Sequence, residues 1–413
     1  MLGASRFEYN RRGSVSRDAH ATLRSEDSAS RLTGSPFAPY HSFERFRIPN
    51  SAFQISPMIG QPISALDSPQ LLLDLGILDV NLERMRQGCR KHGVNLRVHF
   101  KSLKCGGLAQ YLARKGVTAF LAAKLNEAEV LADAGIADIL IANEIIGPIK
   151  LRRLAELAKR VPVMVCVDDL DNVAALGEAM NAAGAKLGVL VEVNIGMNRC
   201  GVEPGEPVVK IARAIAQHEN LRFAGLQGYD GHLQMLPDAG ERRRKCLYGL
   251  ASLLMTRQRL KESGFNVPII SGGGTGTWEW VVGFPGMTEV QPGSFLLMDA
   301  AYNAIRPEFA CSLSILATVI SHKPDRYILD AGSKAISKDF GMPVIKGHDT
   351  EKVLKLAEEH TIVETHNPPA IGERREVLPA HCCATMNLHR TCIAVRNGVV
   401  DAVWPIECSG RYD

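Results

Sequence analysis

Thr118-Ala119-Phe120-Leu121-Ala122-Ala123 leads, with only Lys124 between, into Leu125-Asn126-Glu127-Ala128-Glu129-Val130-Leu131. The first run is short and apolar throughout, the pattern of a strand covered on both faces. The second carries strong helix formers with apolar positions at helical spacing. The same pair of patterns recurs along the chain. Further strand-like runs lie at 96–100, 138–143, 161–168, 187–194, 223–229, 268–274 and 288–294. Helical stretches such as Ile211-Ala212-Arg213-Ala214-Ile215 separate them. Eight strand–helix units in about 200 residues predict a (β/α)8 TIM barrel. An open doubly wound sheet is the rival reading; the count of eight and the polar strand ends favour the barrel.

Beyond residue 310 the pattern changes. Runs at 313–321, 326–330, 352–356 and 376–379 are separated by Gly, Pro and Asn rather than by helices, and 391–395 and 399–404 flank Asn397-Gly398, a hairpin signal. A second, mainly β domain is expected here. The predicted organisation is a disordered extension at 1–48, a barrel at 67–309 and a β domain at 310–413. Residues 49–75 are the open link: Leu71-Leu72-Leu73-Asp74-Leu75 either joins the β domain or leads into the first helix.

At 413 residues two domains are the default. A hydrophobic fraction of 46% with 22% charged residues describes an ordinary globular chain, and a net charge of +4 gives no case for nucleic acid or a membrane surface. No apolar stretch approaches the ~20 residues of a spanning helix. Ten cysteines without framework spacing point to reduced thiols and a cytoplasmic setting. Residues 1–48 are rich in Arg and Ser, as transit peptides are, but Glu8, Asp18, Glu26 and Asp27 argue against organelle targeting.

Barrel enzymes carry their chemistry at the C-terminal ends of the strands. Lys101 directly follows the first strand and offers an amine there; taken alone it reads rather as a solvated lysine opening a loop. Ser271-Gly272-Gly273-Gly274-Thr275-Gly276-Thr277 follows the seventh strand, where barrels commonly hold phosphate. Its glycines let backbone amides approach an anion, and Thr275 and Thr277 add hydroxyl donors. Gln291-Pro292-Gly293-Ser294, closing the eighth strand, could complete the cradle through Gln291, Gly293 and Ser294. Arg199, after the fifth strand, suits a cofactor's phenolic oxygen, a substrate carboxylate or a structural ion pair. Tyr229, ending the sixth, suits a ring contact or plain burial, and His99 suits core or function.

The run Pro379-Ala380-His381-Cys382-Cys383-Ala384-Thr385 carries the remaining signal. If it is extended, alternation puts His381 and Cys383 on one face, where imidazole and thiolate could grip one divalent metal, and turns Cys382 away. A half-buried strand with a satisfied histidine is the plain alternative. A Schiff-base amine with a metal suggests pyridoxal 5'-phosphate (PLP) chemistry aided by a Lewis acid.

Taken together, residues 67 to 413 resemble the D-threonine aldolase / D-serine dehydratase family, built on the alanine-racemase-type barrel. The resemblance rests on His99-Phe100-Lys101, 123–129, Asn198-Arg199-Cys200-Gly201, 271–277, 291–294, Met298-Asp299 with Tyr302, and 379–387. It implies that Lys101 carries PLP, that the loop 272–277 holds the phosphate, and that His381 and Cys383 bind a divalent metal beside the substrate's β-hydroxyl. It also implies a homodimer. The aldolase branch typically has H-C-D where this chain has His381-Cys382-Cys383, the dehydratases H-x-C. Tyr229 and 298–302 resemble the aldolases, and the family's K-x-H-K stands here as Lys101-Ser102-Leu103-Lys104.

The expected activity is retro-aldol cleavage of a D-3-hydroxy-amino acid to glycine and an aldehyde. The alternative is dehydration to a 2-oxo acid and ammonia. A His–thiolate pair favours Zn²⁺ over Mn²⁺ or Mg²⁺. A non-catalytic PLP carrier would be a barrel alone, and a racemase would need a second base for which the β domain offers no convincing tyrosine.

Overall fold

The computed structural model describes residues 58–413. The extension expected at 1–48 lies outside them, as do the first residues of the 49–75 link. Strand β1 (Gln70–Asp74) runs straight into the helix Leu75–His92. Asp74 ends the strand and caps the helix, its carboxylate accepting the amides of Gly76 at 2.8 Å and Ile77 at 3.0 Å. Gly93, with φ 66°, closes the helix in the left-handed conformation that glycine adopts without strain.

Eight parallel strands then close a barrel. They are β2 (Asn95–His99), β3 (Ala119–Ala122), β4 (Asp138–Ile141), β5 (Val163–Val167), β6 (Leu187–Glu192), β7 (Leu221–Gly228), β8 (Ile269–Gly272) and β9 (Glu289–Val290). Pairing of Asn95 with Glu289 and of Leu96 with Val290 joins the first barrel strand to the last, which eliminates the open sheet. Each expected strand is present, but most end earlier than the apolar runs. The largest difference is β9, two residues long where seven were expected. Pro292 has no amide to give a ladder, and from Ser294 the chain turns into a short 3₁₀ segment. Leu121, Leu140, Cys166, Leu190 and Ala224 fill the barrel interior. At the opposite end from the loops, Arg97 is buried and bonds Glu289 through Nε and Nη2 at 2.8 and 2.7 Å and Asp138 at 2.8 Å.

The C-terminal strands are β10 (Leu313–Lys323), β11 (Arg326–Leu329), β12 (Val344–Ile345), β13 (Lys352–Leu356), β14 (Thr361–Glu364), β15 (Arg374–Leu378), β16 (Thr391–Arg396) and β17 (Val399–Pro405). They form one sheet in the order β13-β14-β11-β10-β1-β16-β17, with β15 joining β10 to β12. Strand β1 is antiparallel to β10 and parallel to β16, so both readings of 71–75 hold: it is a strand of the β sheet that ends by capping the first helix. The Asn397-Gly398 turn has φ 52° and 75°, as a tight hairpin requires. Strands β12 and β14 were not anticipated.

The run 379–385 is not extended. His381 keeps β geometry, but Cys382–Met386 is a short helix. The face-sharing argument for His381 and Cys383 therefore fails in its premise, and Cys382 is not turned away from Cys383 but buried with its thiol 3.9 Å from the neighbouring one. Among the described residues no helix is long and apolar enough to cross a membrane.

Candidate active site

Strand β2 ends in a 3₁₀ turn, Phe100–Ser102, which lifts Lys101 to the barrel mouth. A cavity of about 210 Å³ opens there, lined by Lys101, His99, Arg199, Tyr229, Gln291 and Glu192 among others. Lys101 Nζ and the Arg199 guanidinium each stand 5.6 Å from the centroid of the Tyr229 ring. Arg199 is half exposed, and its nearest acid, Glu192, is 3.9 Å away, too long for a tight structural pair. Burial, reinforced by the charge on Lys101, holds the His99 imidazole well below its ordinary pKa, so it is neutral. Burial also raises Glu192, together with the negative charge of Glu144, to about 7.

The β domain reaches into the same mouth. Asp299 anchors it, its carboxylate accepting the Tyr302 amide at 2.7 Å and the Cys382 amide at 2.8 Å. The Ala300 amide adds a bond to the Pro379 carbonyl at 3.0 Å. That clamp brings Cys383 Sγ to 3.1 Å from Ser102 Oγ and 3.6 Å from Ser294 Oγ. His381 Nδ1 bonds Asp339 Oδ2 at 2.7 Å, and the Phe340 ring stacks on the imidazole at 3.9 Å. The hydrogen bond with Cys382 and the neighbouring His381 push the Cys383 thiol well below its ordinary range, against the effect of burial. Burial disfavours the imidazolium of His381, but Cys383 and Asp339 outweigh it and raise the pKa to about 9.

Two groups implied by these residues can be tested against the geometry. Nδ1 of His381 is committed to a carboxylate, which leaves Nε2 for Cys383; a histidine so held beside an acidified thiol has the donor chemistry that a metal site would need. For a phosphate-bearing cofactor, the loop after β8 is tightly built. A Cβ on Gly276 would lie 2.3 Å from the Gln234 carbonyl oxygen, and one on Gly293 2.6 Å from the His99 carbonyl oxygen, so glycine is required at both. Thr275 Oγ1 accepts the Phe295 amide at 3.0 Å and keeps its own proton to donate. Gly276 and Thr277 are engaged within the protein, by Gln234 and by Gln234 with Gly274. Gln291 spends its amide hydrogens on Gln227 and Ser271. The cavity, the amine and the loop fit such a cofactor.

Every sequence-predicted residue thus lies at the barrel mouth or in the loops around it. Ser102, Gln234, Asp339 and Phe340 were missed as members of the site. Asp339 and Phe340 lie about 40 residues before His381 in an irregular stretch without a motif, and only the tertiary fold joins them.

Comparison with known proteins agrees with this architecture. Residues 73–301 match the alanine racemase N-terminal domain family, and residues 312–395 match the serine dehydratase domain. The chain belongs to this family of barrel-plus-β-domain enzymes. It is a PLP-dependent lyase of that fold, similar to D-threonine aldolase of Arthrobacter sp. (37% identity over 85% of this chain and 95% of that one). It is also similar to 3-hydroxy-D-aspartate aldolase of Paracoccus denitrificans (36%, 87% and 96%). A solved structure of D-threonine aldolase from Filomicrobium marinum superposes with TM-score 0.83 at 38% identity, covering 85% of this chain and 98% of that one. A D-threo-3-hydroxyaspartate dehydratase of a Delftia species is more distant, 28% identical over 78% of this chain and 92% of that one.

Proposed function

We propose that the enzyme cleaves D-3-hydroxy-amino acids to glycine and an aldehyde, using PLP on Lys101 and a divalent metal on His381 and Cys383. The observation that carries the reading is the approach of the β domain's thiol to the barrel's amine: Cys383 bonds Ser102, the neighbour of Lys101, and feels the charge of Lys101 itself. The greater similarity to aldolases than to a dehydratase supports the direction of the chemistry.

When bound, PLP supplies an electron sink for the carbon–carbon bond that breaks. A metal held by His381 Nε2 and Cys383 Sγ, with Zn²⁺ favoured, lowers the pKa of the substrate's β-hydroxyl. The loop 272–277 holds the phosphate, with Thr275 as hydroxyl donor and Gly274, Gly276 and Thr277 shaping the cradle. Gln291, Gly293 and Ser294 close its other side. Arg199 and Tyr229 flank the cofactor ring, the first neutralising negative charge and the second packing against it. Asp339 keeps His381 oriented.

The proposed division is a barrel at 67–309 and a β domain at 310–413. The pairing of β1 supports adding it to the latter. A cytoplasmic homodimer completes the reading, supported by the family resemblance and by ten cysteines free of disulfides. Incubation with D-threonine and D-3-hydroxyaspartate tests the activity. Glycine and an aldehyde in equal amounts are expected; ammonia and a 2-oxo acid would replace this reading with dehydration.

A further inference from the structure

Gln234 lies outside the cavity, directly after the 3₁₀ segment Gly231–Leu233 that follows β7, and is almost fully buried. Its side chain uses every hydrogen-bonding group it has. Oε1 accepts the Gly276 amide at 2.7 Å, while Nε2 donates to Asp230 Oδ1 at 2.8 Å and Thr277 Oγ1 at 3.1 Å. A carboxylate on one side and a backbone amide on the other admit only one orientation of the terminal amide. Thr277 Oγ1 also accepts the Gly274 amide at 3.3 Å. The loop rests on Gln234 sterically as well: a Cβ on Gly276 would lie 2.3 Å from its backbone carbonyl oxygen, and one on Gly274 2.6 Å from its Oε1. Asp230, the far end of this chain of bonds, is buried too.

We infer that Gln234 is a positioning residue for the phosphate loop. It ties down Gly276 and Thr277, whose hydroxyl also bonds the Asp230 carboxylate, and thereby fixes where the Thr275 hydroxyl can meet an anion. Gly276 and Thr277 then act as the loop's anchor points rather than as its phosphate donors. The inference rests on the proposed role of loop 272–277.

The test compares the affinities of PLP and of pyridoxal, which lacks the phosphate, for the full-length enzyme stripped of cofactor and reloaded. Thr275→Ala tests the underlying reading; Gln234→Met, which keeps the volume and removes the side chain's hydrogen bonds, tests the inference. Wild type should prefer PLP strongly. Gln234→Met should reduce that preference about tenfold or more while leaving pyridoxal affinity near wild type, because phosphate hydrogen bonds are lost and ring contacts are not. A general loss of structure would weaken both ligands alike and would overturn the inference. Gln234→Asn, which keeps an amide but withdraws it by one methylene, makes the same prediction should the methionine variant not fold. If Thr275→Ala lowers the preference and neither Gln234 variant does, the inference fails alone. If wild type does not prefer PLP and Thr275→Ala changes nothing, the phosphate reading fails.

Discussion

Asp339 Oδ2 stands 2.7 Å from His381 Nδ1, and this one bond decides which imidazole nitrogen the site presents. With Nδ1 engaged and Phe340 stacked on the ring, His381 offers Nε2 beside Cys383. The carboxylate also increases the basicity of the ligand it orients.

Asp339→Ala should therefore weaken metal affinity by about 10- to 100-fold, the usual cost of losing a carboxylate behind a ligating histidine. Competition against a metal-sensitive dye measures it. PLP content should remain at the wild-type level, which separates this effect from collapse of the mouth.

Cys383→Asp replaces a soft donor with a hard one, so metal selectivity should move from Zn²⁺ toward Mn²⁺. Metal analysis after equilibration with both ions checks this. Cys382→Ser should act on stability instead. Its thiol is buried 3.9 Å from Cys383 Sγ, and a hydroxyl left poorly bonded there should cost about 1–3 kcal/mol, visible as a lower thermal midpoint with metal selectivity retained.

Glu192 gives a pH dependence of defined sign. Its folded pKa of about 7 lies above the ordinary value, so between about pH 4.5 and 7 the folded state holds a proton that the unfolded state has lost. Stability contributed by that proton is complete at low pH and disappears as pH rises through this window, by up to about 3 kcal/mol. Glu192→Gln should raise the thermal midpoint of the cofactor-free protein at pH 8 and change it little at pH 5.

At the other end of the barrel, Arg97→Ala should destabilise by about 3–5 kcal/mol, because it leaves Glu289 buried without its partner. Combining Arg97→Met with Glu289→Gln should recover much of that loss. Chemical denaturation of the three proteins measures both effects, and a single mutant as stable as the double would contradict the explanation.

The barrel was legible because each strand is buried on both faces and so leaves a continuous apolar run that periodicity detects. The strand ends were not, since residues such as Pro292 and Gly293 sit in the same run but form the turn that approaches His99. Strands β12 and β14 are short and peripheral, with little pattern to read. Strand alternation pairs His381 with Cys383, but the structure brings them together differently, through the helix starting at Cys382 and its anchor Asp299. Asp339 and Gln234 act through contacts distant in sequence, and no local motif marks either one.

Borohydride reduction of the PLP-loaded enzyme, followed by peptide mapping, tests most directly the claim that Lys101 is where the chemistry of barrel and β domain meets. A reduced pyridoxyl group on Lys101, absent from Lys101→Ala, is the predicted result. Cofactor trapped instead on Lys104 or Lys124 would contradict the account.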